Sequence, residues 1–296
     1  MDHLLTAPPF EELAEEVGSD VLSTVSVLSP RPRAINPFLS SYAPLNTVVR
    51  VVFPMLLPPS HRVPAPEVAP ALRALSAGEP ILVFDGPDRE GETDLIFLSE
   101  TATPELVRLA RKDAGGLICT AISDELRARL DLPFFSDLLA LAKDDFPGVA
   151  GLSERPRYDR RSSFGITVNH RTTFTGVPDN DRALTIRTVG EIARSAPDRS
   201  DDALREMFRA SFVSPGHISL LYAAPGLLGE RKGHTELAIS LARMGGLSES
   251  ATVCEMLGDS GGARVPDAAR RYAEDHGFEF LEGRTITEAW RRWSSA

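Results

Sequence analysis

The chain is poor in cysteine and has no long apolar run. Two cysteines in 296 residues, Cys119 and Cys254, are too few for a disulfide scaffold or a structural zinc site. That scarcity points to a reducing, cytoplasmic setting. No window reaches the roughly 18 consecutive apolar residues of a membrane span. The most apolar stretch, Val48 to Pro58, is interrupted by Arg50 and ends in prolines. The opening Met-Asp-His lacks the cationic start of a secretory signal. Positive charge is also short: 32 Lys and Arg stand against 42 Asp and Glu, a formal net charge of −10. Nucleic-acid binding wants a basic face, so that class is set aside, as is a membrane partner. A local basic pocket for a phosphate stays open. Internal repeats and low-complexity tracts are missing too.

What is present is an ordinary globular composition with enough apolar residues for one large core. Residues 1–65 differ from the rest. They are rich in Pro and Ser and carry one expected short helix near Phe10 to Val17. They read as an irregular extension, ordered or not, with Met55 as an alternative start. A helix is expected over Glu67 to Ala77, and from Pro80 the pattern becomes regular. Strands are expected at Ile81 to Phe84, Leu95 to Leu98, Leu117 to Ala121, Ile166 to Val168, Thr185 to Arg187, Ala251 to Met256 and Phe278 to Glu282. Helices are expected from Thr103, an N-cap followed by Pro104, to Lys112, and over Ser123 to Arg129, Thr188 to Ser195, Asp201 to Phe208, Thr235 to Met244 and Pro266 to His276. A Phe- and Pro-rich connection follows Arg129. Strands and helices without a strict βαβ rhythm predict an α+β (mixed α/β) fold. It is read as a single domain over residues 66–296, with a mixed sheet flanked by helices.

The chemistry concentrates first in Ile81 to Asp94, ILVFDGPDREGETD, where an apolar strand runs into five acids and one arginine. Glu90, Glu92 and Asp94 are spaced two apart. In an extended chain their carboxylates share one side, about 6–7 Å between neighbours. Each like-charge pair then costs roughly 2–3 kcal/mol at an effective dielectric of about 20. Water or a cation offsets such repulsion, so acids after a buried strand point to a hard-metal or polyol site. A solvated acidic loop is the alternative.

Three further segments carry candidate groups. Ser214-Pro215-Gly216-His217-Ile218 sets a histidine in an expected turn before an apolar run, either a general acid–base or a turn histidine satisfied by backbone. Arg231-Lys232-Gly233-His234-Thr235-Glu236 opens a helix with two cations and a hydroxyl, which is a phosphate cradle or a simply capped helix. Val253-Cys254-Glu255-Met256 holds one acid inside an apolar strand, suited to proton transfer or to a buried ion pair. Thr175 to Arg182 reads as a polar loop, and Cys119 as a small core residue or the border of a site.

Taken in order, DREGETD, GLICT, TGVPDNDRALTI, SPGHI, RKGHTE and VCEM resemble the motifs of 3,4-dihydroxy-2-butanone 4-phosphate synthases, enzymes of riboflavin biosynthesis. The resemblance runs from Ala77 to Phe280, and its acidic motif has the REGETD form of archaeal-type members. It implies a lyase that converts D-ribulose 5-phosphate to 3,4-dihydroxy-2-butanone 4-phosphate and formate with Mg²⁺ or Mn²⁺. It implies Glu90 and His234 as metal ligands. Arg89, Glu90, Asp94, Arg231, Lys232, Gly233, His234, Thr235 and Glu255 are implied to contact the phosphosugar. His217 and Glu255 are implied in proton movement, and Glu92 in a supporting or acid–base role. Members of the family are homodimers with active sites near the subunit interface. The competing expectations are another metal-dependent sugar-phosphate isomerase or epimerase, and a non-catalytic phosphosugar-binding paralogue.

Overall fold

The structure is a computed structural model that describes residues 65–153, 159 and 161–295. The Phe10–Val17 helix, the irregular extension up to residue 64 and the alternative start at Met55 lie outside the described residues. Seven strands occur among the described residues: β1 (Ile81–Phe84), β2 (Thr93–Leu98), β3 (Cys119–Ile122), β4 (Phe164–His170), β5 (Phe212–Tyr222), β6 (Ser250–Glu255) and β7 (Glu279–Glu282). They form one sheet in the order β4-β5-β3-β6-β2-β1-β7. The β1–β7 and β3–β5 pairs are parallel and the others antiparallel, so the sheet is mixed, as expected. The α-helices are α1 (Ala69–Ser76), α2 (Pro104–Leu109), α3 (Asp124–Leu130), α4 (Phe135–Ala142), α5 (Asp179–Ser195), α6 (Asp201–Ser211), α7 (His234–Met244), α8 (Pro266–His276) and α9 (Gly283–Ser295).

The sheet is covered on both faces, which explains why Ile81 to Phe84 is apolar at every position rather than alternating. Ile81, Val83, Ile96 and Val253 pack with α1, α7 and α9, whereas Leu82, Leu95, Phe97 and Cys254 face α2, α5 and α8. A third cluster lies under β4 and β5, where Leu126 of α3 and Leu204 of α6 meet Leu220 and Tyr222. The site lies at the end of the sheet where β1 stops and β2 begins. Helix α7 covers that end with its N-terminus.

Three expectations need correction. Thr185 to Arg187 is not a strand but the middle of α5, so the polar loop of Thr175 to Arg182 passes into helix at Asp179. Ala183, Ile186, Val189 and Ala193 bury one helical stripe, and packing of that stripe overrides the β preference of Thr185 and Ile186. The hydroxyls of Thr185 and Thr188 donate back to the carbonyls of Asp181 and Leu184, both at 2.9 Å. His217 lies not in a turn but within β5, where Pro215 and Gly216 pass a register shift opposite Val168 and Asn169. The Phe- and Pro-rich connection contains α4, none of whose residues is buried. Helix α9 was not anticipated.

Helix α5 approaches the turn Ser99–Thr101 so closely that a Cβ on Gly190 would lie 2.1 Å from the Glu100 nitrogen. Backbone there cannot yield as a flexible side chain does. Gly190→Ala is therefore expected to destabilise the fold by about 2 kcal/mol, the scale of overpacking, despite alanine's better helix propensity. Urea unfolding monitored by circular dichroism measures this, and an unchanged midpoint would contradict the packing described.

Candidate active site

Asp85 is the first residue after β1, and the acidic loop is folded around its carboxylate. Oδ2 accepts from the Glu90 amide at 2.9 Å, and Oδ1 accepts from the amides of Gly91 at 3.1 Å and Glu92 at 3.0 Å. Three N–H donors on one carboxylate anchor the loop. Gly91 sits at φ +73°, a conformation glycine adopts without strain. Glu90 to Asp94 is thus extended only from Thr93 onward, not throughout. The carboxylates of Glu90, Glu92 and Asp94 nonetheless border one cavity of about 540 Å³. A turn brings them together, where strand alternation had been expected to do so.

His234 opens α7 and is 6% exposed. Its Nε2 lies 3.2 Å from the carbonyl oxygen of Val83, the β1 residue across from Asp94. A carbonyl only accepts, so Nε2 carries the proton and Nδ1 presents its lone pair. Nδ1 lies 3.4 Å from Asp94 Oδ1 and 3.9 Å from Glu90 Oε2. Burial lowers the imidazole's pKa, and the opposing pull of Asp85 and Glu90 does not reverse this, so the ring is held neutral. Burial also raises the Asp94 pKa well above the usual carboxylate range, reinforced by Glu255, Glu90 and Glu92. Glu92 is raised for the same reasons, burial first and then Glu90 and Glu255.

Asp85, Glu90 and His234 each offer one donor atom, all within 4.8 Å of one another. The buried Asp94 Oδ1 beside them has no hydrogen-bond partner among the described residues. Two carboxylates and one neutral imidazole fit a divalent cation. Sequence reasoning missed Asp85 as a member of this set. Its signal was its position as the first acid after the strand.

On the other wall stands Arg231, which donates through Nη1 to Glu236 Oε2 at 2.5 Å and through Nε to Asp159 Oδ2 at 2.8 Å. Arg89 also reaches Asp159. Gly233, the N-cap of α7, makes room for this arginine, because a Cβ there would lie 2.2 Å from its guanidinium. Thr235 lines the same cavity, and the helix start has no side-chain cap. Lys232 is exposed and lines instead a neighbouring cavity of about 780 Å³, which shares Arg89, Asp159 and Arg231 with the smaller one. Nothing in the sequence patterning pointed to Asp159.

Glu255 ends β6 opposite Asp94 in register, and its Oε2 accepts from the Leu117 amide at 2.8 Å. A Cβ on Gly116 would lie 2.4 Å from that oxygen, so GLICT begins with glycine for a steric reason. Cys119 borders the cavity as well. His217 does not line it. Its side chain is exposed on β5, its amide donates to Asn169 Oδ1 at 2.8 Å, and Asn169 Nδ2 lies 3.1 Å from its Nδ1. An amide nitrogen only donates, so Nδ1 accepts and Nε2 carries the proton. Eight expected site residues therefore meet at one cavity (Arg89, Glu90, Glu92, Asp94, Arg231, His234, Thr235 and Glu255), while His217 is left outside it.

Residues 69–289 match the family of 3,4-dihydroxy-2-butanone 4-phosphate synthase. The protein of that name from Methanosarcina mazei is 46% identical over 228 residues, covering 76% of this chain and 91% of its own length. The crystal structure of the synthase of Candida albicans is similar with a TM-score of 0.56 at 29% identity, over 76% of this chain and 97% of that one. A further synthase structure, in complex with two magnesium ions, has a TM-score of 0.57 at 26% identity over 73% and 93% of the two chains.

Two outcomes follow from this geometry. Asp85→Ala removes a candidate ligand and the anchor of three amides, so divalent-ion affinity by calorimetric titration is expected to fall about 10- to 100-fold. Unchanged affinity would remove Asp85 from the site. Folded His234 gives up its proton at lower pH than the unfolded ring, so its burial favours the folded state above pH 6.5 and loses that advantage as pH falls. Long-range ¹H–¹⁵N NMR at pH 6.5 is expected to show His234 with Nδ1 unprotonated, and a doubly protonated ring would contradict this.

Proposed function

Because the chain belongs to the 3,4-dihydroxy-2-butanone 4-phosphate synthase family, we propose that it is a lyase of riboflavin biosynthesis that converts D-ribulose 5-phosphate to 3,4-dihydroxy-2-butanone 4-phosphate and formate. The observation that carries this reading is the meeting of the acidic loop, the neutral His234 and the arginine pair at one cavity. The family match favours it over another sugar-phosphate isomerase or epimerase and over a non-catalytic phosphosugar-binding paralogue. Substrate and products balance without an external oxidant or reductant. The protein's task is therefore proton movement and control of negative charge. Two free, buried cysteines accord with action in the cytoplasm.

Glu90 and His234, joined by Asp85, would hold Mg²⁺ or Mn²⁺, which when bound supplies positive charge for neighbouring oxygens of a substrate undergoing enolisation. Arg89, Arg231 and the first turn of α7 with Thr235 bind the phosphate, with Lys232 contributing charge from the outer cavity and Gly233 allowing close approach. That grip holds the reacting carbons against the acidic loop. Asp94 contacts a substrate oxygen through Oδ1, which has no hydrogen-bond partner among the described residues. Glu92 has its pKa moved towards the range useful for acid–base work. Glu255, fixed through one oxygen by the Leu117 amide, moves a proton with the other. The sequence of enolisation, loss of water, skeletal rearrangement and release of C4 as formate needs such groups on more than one side of the substrate.

His217 completes the set from a second copy of the chain. It is exposed, held by Asn169 with its proton on Nε2, and absent from the cavity of its own chain. An exposed histidine of that kind reaches a site in a homodimer whose cavities lie near the interface.

Purified full-length protein with ribulose 5-phosphate and Mg²⁺ is expected to release formate, to stop with EDTA and to recover with added Mg²⁺. Isomerisation without formate would replace the reading by that of an isomerase. His217→Ala and Glu255→Gln are each expected to lower kcat by about 10²- to 10⁴-fold. Mixing the two inactive variants is expected to restore roughly a quarter of the wild-type activity, because half of the dimers are mixed and each has one intact site. No recovery in mixed dimers proven by mass spectrometry would mean that His217 does not act across the interface.

A further inference from the structure

Arg89 and Arg231 come from two separate segments, the acidic loop and the residues leading into α7, and one carboxylate lies between them. Arg89 donates through Nη1 to Asp159 Oδ1 at 3.3 Å and through Nη2 to Oδ2 at 3.5 Å, while Arg231 donates through Nε to Oδ2 at 2.8 Å. The side chain of Asp159 is 9% exposed and those of the arginines are 17%. Among the described residues, the hydrogen bonds of this carboxylate go to these two guanidiniums.

The second acid on Arg231 is a different kind of partner. Glu236 is wholly buried, and its other oxygen accepts from the Ala224 amide at 2.8 Å. Glu236 is thus built into the fold and holds Arg231 through Nη1. Asp159 is held by Arg231 at 2.8 Å, within the roughly 2.7–2.9 Å of a tight charge-assisted bond, but sits on Arg89 at the longer distances of 3.3 and 3.5 Å. Its hold on the pair is uneven, and unlike Glu236 it accepts no backbone amide among the described residues. Charge matters as well. Asp159 and Glu236 offset charge on the two guanidiniums, which weakens their pull on a dianion. A phosphate ester entering beside Asp159 would meet a like charge at close range. With Asp159 withdrawn, two guanidinium planes already set about an oxyanion are exposed next to the first turn of α7.

We propose that Asp159 is an internal anion seated in the phosphate subsite, displaced by the phosphate group of the substrate, and that it thereby sets the affinity of the site. This rests on the phosphosugar reading above. Asp159 is not a catalytic residue here; it acts through Arg89 and Arg231.

The test compares full-length wild type with Asp159→Asn and, as a second uncharged variant in case the first does not fold, Asp159→Ser. Inorganic phosphate is titrated by calorimetry, and KM and kcat are measured for ribulose 5-phosphate with formate as readout. Removing the carboxylate is expected to tighten phosphate binding roughly tenfold and to lower KM by a similar factor, with kcat within about twofold. The thermal shift given by saturating phosphate is expected to be larger in the variants than in wild type. If phosphate binds the folded variants equally or more weakly, Asp159 is a brace and the proposal is overturned, while the synthase reading stands. A wild-type protein that binds no phosphate and releases no formate would overturn both.

Discussion

Carboxylates do not crowd together unless something offsets their mutual repulsion. Asp85, Glu90, Glu92, Asp94 and Glu255 crowd the end of one sheet, and the rest of the site depends on how they are kept there. Part of the answer is internal. Asp85 accepts hydrogen bonds from three amides, and Glu255 from one. Asp94 has no such help for Oδ1, and its response is a raised affinity for a proton. His234 does not relieve the crowding as a cation, because burial keeps it neutral. A divalent ion reverses this local logic. It draws the acids towards ionisation and uses the lone pair that a neutral imidazole has free.

The fold supplies that arrangement through contacts one step removed from the cavity. The Val83 carbonyl fixes the tautomer of His234, so a core strand and a site residue share one hydrogen bond. The pairing of Asp94 with both Val83 and Glu255 sets three residues across adjacent strands in fixed register. A one-residue slip there would turn Asp94 into the opposite layer, among Leu82 and Phe97. Gly116 is small because the backbone and side chain of Glu255 occupy the space a side chain would take.

The sequence made the core and the chemistry legible where periodicity and residue type agree. The run Ile81 to Phe84 is apolar at each position and buried at each position. The Thr103-Pro104 helix start is present as expected, with the Thr103 hydroxyl accepting from the Leu106 amide at 3.3 Å. The match failed where tertiary contacts decide. Thr185 and Ile186 look like strand residues, and only the buried stripe of α5 makes them helical. The apolar residues of α4 gave no boundary to read, since a Phe- and Pro-rich stretch suggests a connection as readily as a helix. Glu90 and Glu92 converge on Asp94 through a turn about Asp85 and Gly91, a geometry that spacing alone does not reveal. Asp159 was invisible because its partners lie about seventy residues away on either side. That His217 stands apart from the cavity is a property of strand pairing in β4 and β5, which no local motif encodes.

The central claim is that Glu90 and His234, anchored by the Asp85 loop and the Val83 carbonyl, share one divalent ion. Anomalous diffraction from crystals of the full-length protein grown with Mn²⁺ tests it most directly. A peak within bonding distance of a Glu90 carboxylate oxygen and of His234 Nδ1 is the result expected. A peak elsewhere with that corner empty, or His234 turned so that Nδ1 faces Val83, would contradict the account.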